Sequence, residues 1–197
     1  MMLIEQTAVP TAALPVQALR DHLRLGTGFG TEGLQDGLLE SHLRAAMAAI
    51  EARIGKALLA RQFRLELACW RDAGAQALPV APVSAVAEVR LRDAAGGVTV
   101  LAPSRYRLQA DRHRPRLLAV GLLLPEVPQD GRAEVVFEAG FGVDWAAVPS
   151  DLAQAVLLLA AQFYERRHEG GGMALPGVVQ ALIEGWRNVR LLTGGGA

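Results

Sequence analysis

The sequence has little of the residue types on which catalytic and metal centres depend. Its 197 residues include one cysteine and four histidines, and lysine occurs only at Lys56. Cys69 has no partner for an intrachain disulfide, and no Cys or His spacing typical of a zinc site is found. We therefore expect synthesis in a reducing cytoplasm, with no metal ion and no cofactor.

An excess of positive charge is also lacking. Lys and Arg together number 20, as do Asp and Glu, so the formal net charge is +0. Proteins whose affinity comes mainly from phosphate contacts carry a basic excess, so this balance favours protein partners.

Long apolar runs are missing as well. The longest run, residues 152–163, is interrupted by two glutamines and is shorter than the roughly 20 residues that span a bilayer. At the amino terminus no basic residue precedes an apolar run, so a signal peptide is not expected. The sequence predicts no membrane role.

The hydrophobic content of 51% is sufficient for a core, and its spacing predicts four helices. Apolar residues recur at helical spacing in four segments: 15–25, about 36–54 with Gly55 as the stop, about 149–168, and about 175–189. The glycine-rich stretches 26–33 and 170–172 are expected to be loops, and residues 193–197 a flexible tail.

Between the second and third helices the apolar period changes to two, which is typical of strands with one buried face. Six short strands are predicted at 62–69, 86–92, 98–101, 106–108, 116–120 and 133–138. We therefore expect an α+β fold, in which a helical bundle built from both chain ends carries an inserted small antiparallel β-module. The predicted parts are 1–61, 62–141 and 142–197, the last being a helical hairpin with its tail.

Catalytic signals are weak, and we expect no enzyme. The pair Glu165 and His168 has the Glu-x-x-His spacing that di-iron bundle proteins use twice, but it occurs once here and suits a solvated helix end. Gly26, Gly28 and Gly30 imitate part of a phosphate-binding loop, but they follow a helix and lack the Lys and Ser or Thr of a P-loop.

Two segments are candidates for interaction. A basic cluster in the β-module either meets phosphates or is a solvated loop balanced by Asp111 and neighbouring subunits, and the neutral overall charge favours the second interpretation. Its members are Arg105, Arg107, Arg112, Arg114 and Arg116.

The second candidate segment lies at the end of the last helix, where apolar residues extend beyond what a two-helix hairpin can cover and arginines supply donors for carboxylates. It comprises Trp186, Arg187, Val189, Arg190, Leu191 and Leu192. We expect this segment to dock onto a partner protein.

Several segments, taken in order, resemble the head–tail connector, or portal adaptor, proteins of long-tailed phages and gene transfer agents. They cover residues from about 14 to 190. The segments are His22-Leu23-Arg24-Leu25, Ile54-Gly55-Lys56-Ala57-Leu58-Leu59, residues 61–67, Pro82-Val83-Ser84-Ala85-Val86, Tyr106, Phe137-Glu138-Ala139-Gly140-Phe141-Gly142, Val148-Pro149-Ser150-Asp151-Leu152 and Gln162-Phe163-Tyr164-Glu165-Arg166-Arg167. The glycine-rich stretches 26–33 and 170–172 depart from the family pattern.

The resemblance implies a structural subunit assembled in the bacterial cytoplasm into the neck of a phage-like particle. Members of the family form rings, commonly of twelve subunits, beneath the portal; the ring prolongs the DNA channel and offers a docking surface to the stopper and tail. DNA would pass through without sequence-specific binding, and the carboxy-terminal segment would dock onto the portal. The alternatives are another neck component, such as a stopper or tail terminator, and a small metal-dependent or hydrolytic enzyme.

Overall fold

The computed structural model describes residues 1–25, 35–167 and 174–188, and all four expected helices are found there. They are α1 (Val16–His22), α2 (Asp36–Ile54), α3 (Ser150–Glu165) and α4 (Gly177–Glu184). The predicted loops at 26–33 and 170–172 and the tail 193–197 lie outside the described residues.

The helices pack together through the apolar stripes that predicted them. Their shared core contains Leu19 of α1, Leu43 and Ile50 of α2, Val156 of α3 and Ile183 of α4, each at most 1% exposed. The second helix ends where glycine was expected, because Gly55 adopts a left-handed φ of +67° and its N–H donates to the Glu51 carbonyl at 2.8 Å.

Eight strands are found among the described residues, two more than the sequence predicted. They are β1 (Met2–Glu5), β2 (Arg61–Leu67), β3 (Ala75–Ala77), β4 (Val83–Arg92), β5 (Val98–Val100), β6 (Tyr106–Gln109), β7 (Arg116–Ala119) and β8 (Arg132–Ala139). Short segments without clear alternation, such as β1 and β3, carry too little pattern to be detected. Because β1 pairs with β2, the first residues of the chain belong to the module's sheet and not to the helical bundle.

The strands form two antiparallel sheets that share one core. The larger sheet has the order β1-β2-β8-β4-β5, and the smaller has the order β3-β7-β6. On the inner face of the larger sheet, Phe63 lies opposite Phe137 with the rings stacked at 5.8 Å between centroids. Tyr106 and Leu117 of the smaller sheet complete this core. The module therefore has a hydrophobic cluster of its own beside that of the helices.

The chain enters the module before β2 and leaves it after β8, and these two crossings lie side by side. Ala60 N–H donates to the Gly142 carbonyl at 2.7 Å, and Phe141 N–H donates to the Leu58 carbonyl at 3.2 Å. A salt bridge reinforces this contact, because Arg61 Nη2 lies 2.6 Å from Glu51 Oε2, with both side chains largely buried. The same Glu51 carboxylate also accepts the Leu58 N–H at 2.7 Å.

This architecture confirms the α+β fold expected from the sequence. Helices that precede and follow the β-module in the chain pack together, and the module is antiparallel. Among the described helices, none is both long and apolar enough to cross a bilayer.

The close approach at the crossing predicts contrasting effects for two glycines. Gly140 has a φ of +138°, and a Cβ added there would lie 2.4 Å from backbone atoms of Leu59 and Ala60. We expect Gly140→Ala to lower the free energy of unfolding by about 2 kcal/mol or more. Among the described residues nothing lies within 4 Å of a Cβ added to Gly37, at the start of α2, so Gly37→Ala should raise that free energy by about 0.5 to 1 kcal/mol.

Urea unfolding followed by circular dichroism measures both variants. Equal midpoints for Gly140→Ala and the wild type would show that the crossing tolerates a side chain, contrary to this packing.

Candidate assembly site

The indole of Trp186, just after α4, is buried and ties three elements together. Trp186 is 6% exposed, and its Nε1–H donates to Asp151 Oδ2 at 2.6 Å, near the start of α3. Its ring meets that of Phe141, which follows β8, in an edge-on contact with centroids 5.3 Å apart. The end of the last helix is thereby fixed to the bundle and to the module crossing.

An arginine of the β-module covers the other side of this indole. The Arg112 guanidinium carbon lies 3.9 Å from the Trp186 ring centroid, which is a cation–π contact. Arg112 belongs to the loop between β6 and β7. Two separately predicted segments, the basic cluster and the carboxy-terminal segment, therefore meet at this point.

Next to this contact a buried lysine holds the same loop. Lys56 is 1% exposed, and its Nζ lies 3.2 Å from His113 Nδ1. An ammonium group only donates, so His113 is neutral at Nδ1 and accepts this hydrogen bond. The His113 side chain also shares a hydrogen bond with the side chain of Asn188. We call Lys56, Arg112, His113, Asn188 and Trp186, together with Asp151 and Phe141, the Trp186 junction.

The charges of the Trp186 junction favour a neutral His113. Burial lowers the pKa of His113, and the neighbouring Lys56 and Arg112 lower it further against the opposing effects of Asp111 and Asn188. Burial also lowers the pKa of Lys56, as does Arg112, whereas Asp111 raises it. Asp111 in turn accepts backbone N–H groups of His113 and Arg114, both at 2.7 Å, which shape the loop.

A second charged group lies on the outer face of the larger sheet. Glu134 is 1% exposed, and its Oε1 accepts hydrogen bonds from Arg92 Nε and Arg132 Nε, both at 3.0 Å. Burial raises the pKa of Glu134, but the two arginine hydrogen bonds outweigh that effect and the pKa is lowered. The sequence reveals Glu134 only as an outward position of a strand, because its burial depends on arginines from two strands.

Solved structures resemble this chain over almost its whole length. A chain in the neck of an empty gene transfer agent particle, computed with C6 symmetry, is 57% identical with a TM-score of 0.90, covering 98% of this chain and 99% of that one. A chain in the virion of a native gene transfer agent particle is also 57% identical, with a TM-score of 0.87 and the same coverage.

A third match comes from the neck of a native particle computed with C12 symmetry, at 54% identity and a TM-score of 0.86 over 98% and 99% of the two chains. This chain belongs to the head–tail connector family of gene transfer agent necks. Scans against protein-family models and against curated proteins found no match. The resemblance seen in the sequence is confirmed, and the neck position expected from it is that of the similar chains.

The members of the connector's basic cluster have different surroundings in the structure. Arg112 lies on Trp186, and Arg116 Nη2 lies 3.6 Å from Asp72 Oδ2. The Arg114 N–H donates to Asp111, whereas the side chains of Arg105 and Arg107 are exposed. Arg112 and Arg116 thus have partners within the chain, and the role of the cluster in the particle stays a prediction.

Among the predicted docking residues, Trp186 needs a correction. It was expected to extend an exposed apolar surface, but the indole is buried because Asp151, Phe141 and Arg112 surround it. Arg187 is exposed and lies 3.1 Å from Glu184. The remaining members, Val189, Arg190, Leu191 and Leu192, lie outside the described residues.

A cleft of the connector that is lined by charged groups lies beside the crossing. It has a volume of about 390 Å³ and is lined by Glu5, Glu51, Lys56 and Arg61 among apolar residues. Arg61 binds both carboxylates, at 3.0 Å from Glu5 and 2.6 Å from Glu51. Within the described ranges no group of three or more His, Cys, Asp or Glu could hold a metal ion, and His168 of the Glu-x-x-His pair lies outside them.

Burial of the indole predicts a large effect of its removal. Trp186→Ala should lower the free energy of unfolding by about 3 to 5 kcal/mol, because it leaves a cavity and an unpaired Asp151 oxygen. Arg187→Ala, one residue further on, removes an exposed ion pair and should change that free energy by less than about 0.5 kcal/mol. Urea midpoints of the two variants compare them directly, and equal midpoints would contradict a buried anchor.

The lowered pKa of His113 predicts loss of stability in acid. The unfolded chain takes up a proton at His113 first as the pH falls below about 6.5, so the folded state is disfavoured from there down to the folded pKa. His113→Gln should therefore reduce the fall in melting temperature between about pH 7.5 and about pH 5.5. Burial also lowers the pKa of His42, so His42→Gln serves as a comparison that leaves the junction intact.

Differential scanning calorimetry of the wild type and both variants across this pH range gives the slope of melting temperature against pH for each protein. An unchanged slope in His113→Gln would show that His113 is not held neutral in the folded protein.

Proposed function

We propose that this connector is the adaptor of a gene-transfer-agent-like neck, in which twelve copies form a ring beneath the portal. The ring would prolong the DNA channel and present a docking surface to the stopper and tail. The observation that carries this proposal is the near full-length match, at 54% identity, to a chain of a neck computed with C12 symmetry. A ring of twelve also fits the C6 symmetry with which the neck of the empty particle was computed, because sixfold rotation is contained in twelvefold rotation.

The charge distribution supports passage of DNA without a tight grip. The formal net charge is +0, and the arginines on the outer face of the larger sheet are matched by carboxylates at Glu66, Glu88 and Glu134. A neutral surface neither concentrates phosphates nor releases many counterions. We therefore assign the exposed Arg105 and Arg107 to a subunit-facing or tail-facing surface.

The Trp186 junction supports portal docking by the residues that follow it. Trp186 is fixed to α3 and to the module, so the described chain ends close to a defined point, and residues 189–197 follow it in the sequence. Val189, Leu191 and Leu192 supply apolar side chains for a partner, and Arg190 supplies donors for carboxylates. In this proposal residues 189–192 contact the portal, Trp186 and Asn188 position them, and Arg187 precedes them in the sequence.

Truncation just after the junction tests the proposal. A chain ending at Asn188 keeps Trp186, so its urea midpoint should match that of the full chain. Its attachment to portal-bearing, DNA-filled heads should be lost, because the apolar and arginine side chains that we propose for the portal contact are gone. Cryo-electron microscopy of heads mixed with the full chain should show a ring with twelvefold symmetry beneath the portal.

The matched control ends at Leu192 and removes only Thr193 and the small residues behind it, so it should attach as the full chain does. If the chain ending at Asn188 attaches at normal yield, the docking surface lies elsewhere, on α1 and α2. A full chain that attaches only to tails, and not to portal-bearing heads, would identify a stopper or tail terminator instead.

A further inference from the structure

An apolar loop follows β7 in the β-module. Three of the four residues 120–123 are exposed apolar side chains: Val120 is 58% exposed, Leu122 is 95% exposed and Leu123 is 62% exposed. Leu122, at 95% exposure, adds almost no hydrophobic stabilisation to the isolated chain, because its apolar surface stays in water. Neighbouring exposed apolar side chains of this kind are typical of a contact surface.

A cleft lies directly beside this loop. Its volume is about 370 Å³, more than one leucine side chain occupies, and its lining includes Cys69, Trp70, Leu123, Leu124 and Val127. The walls are held in place, because Trp70 Nε1–H donates to the Pro125 carbonyl and Leu124 N–H donates to the Ala73 carbonyl, both at 2.7 Å. The cleft is therefore formed before any partner arrives. We call residues 68–73 and 120–127 the module tip.

We propose that the module tip is a contact between neighbouring copies of this chain, in which Leu122 of one copy inserts into the cleft of the next. The inference rests on the proposed function, since a ring places copies of the same chain side by side, so that a projection of one copy can meet a recess of the next. The module tip offers both halves of such a contact, a protruding leucine and a recess that accepts one.

The charges of the module tip suit a second copy of the chain. Arg71, Asp72 and Glu126 lie there in both signs, so two tips do not repel each other as like-charged surfaces would. An apolar loop beside mixed charges also resembles the core and rim of a protein interface. Nucleic acid is a poor occupant, because the module tip is apolar and carries one arginine, Arg71, against two carboxylates, Asp72 and Glu126.

A disulfide between two different single-cysteine chains tests this contact. Cys69 is the only cysteine of the chain, so the wild type places one thiol in the cleft. The double variant Cys69→Ser/Leu122→Cys places one thiol on the projection instead. Both positions are exposed, so neither change should affect folding. When the two chains are mixed and oxidised, a bond between Cys69 of the wild type and the introduced thiol of the variant joins two copies. It cannot form within one chain, because each chain carries a single thiol.

We expect a covalent dimer from the mixture and far less from either chain alone, both in concentrated solution and on portal-bearing heads. The inference is overturned if heads carry a ring of the mixed chains without this dimer, although the adaptor function then stands. It is likewise overturned if the thiols join a different neck protein. Dimers in solution without attachment to heads would support the contact and contradict the adaptor function.

A substitution gives a second measurement. Leu122→Ser should weaken association of neighbouring copies by about tenfold or more, as judged by the concentration needed for ring formation. Val143 is 67% exposed but lies outside the module tip, so Val143→Ser is the matched control and should associate as the wild type does. Equal concentrations for both variants would contradict the insertion of Leu122.

Discussion

The salt bridge between Glu51 and Arg61 holds the helical bundle and the β-module in one arrangement. Arg61 begins β2 and donates to both oxygens of Glu51 on α2, at 3.0 and 2.6 Å, while Glu51 also accepts the Leu58 N–H of the crossing. Arg61 Nε reaches Glu5 of β1 at 3.0 Å. Removing one partner of such a largely buried pair costs about 3 to 5 kcal/mol, because the other charge is left without compensation. Helix, crossing and two strands thus depend on the same two side chains.

The contacts of the Trp186 junction depend on that arrangement of bundle and module. The β6–β7 loop reaches the end of α4 only because the module is held close to the bundle, and there Arg112 covers Trp186 while His113 meets Lys56. Burial of a lysine beside a histidine is costly unless the lysine can donate, and the neutral imidazole accepts that hydrogen bond. The junction therefore couples the start of the carboxy-terminal segment to the module, so the two parts of the proposed adaptor do not move independently there.

Regular elements were predictable wherever the apolar pattern was long. The 19 residues of α2 carry a full stripe and a glycine stop, and their bounds were predicted to the residue. Strand β3 has three residues and buries Gln76, whose amide donates to the Ala77 carbonyl and whose oxygen accepts the Arg71 N–H. A buried glutamine looks polar and exposed in the sequence, so β3 was missed for a physical reason. Trp186 shows the converse, since an aromatic near the end of the predicted last helix looked exposed, whereas a loop 74 positions earlier covers it.

The sequence by itself determined the order of the four helices and of six strands, the α+β class, the balance of charge and the family, because these depend on local periodicity and on an ordered set of short segments. Only the tertiary structure decided which charges are buried, where Trp186 points, and that the β6–β7 loop and the end of α4 are neighbours. The reason is that Lys56, Glu134 and Trp186 each take their environment from residues distant in the chain. The type of a residue does not indicate which distant residues will surround it, since burial of a charge or an indole is a property of the packed fold.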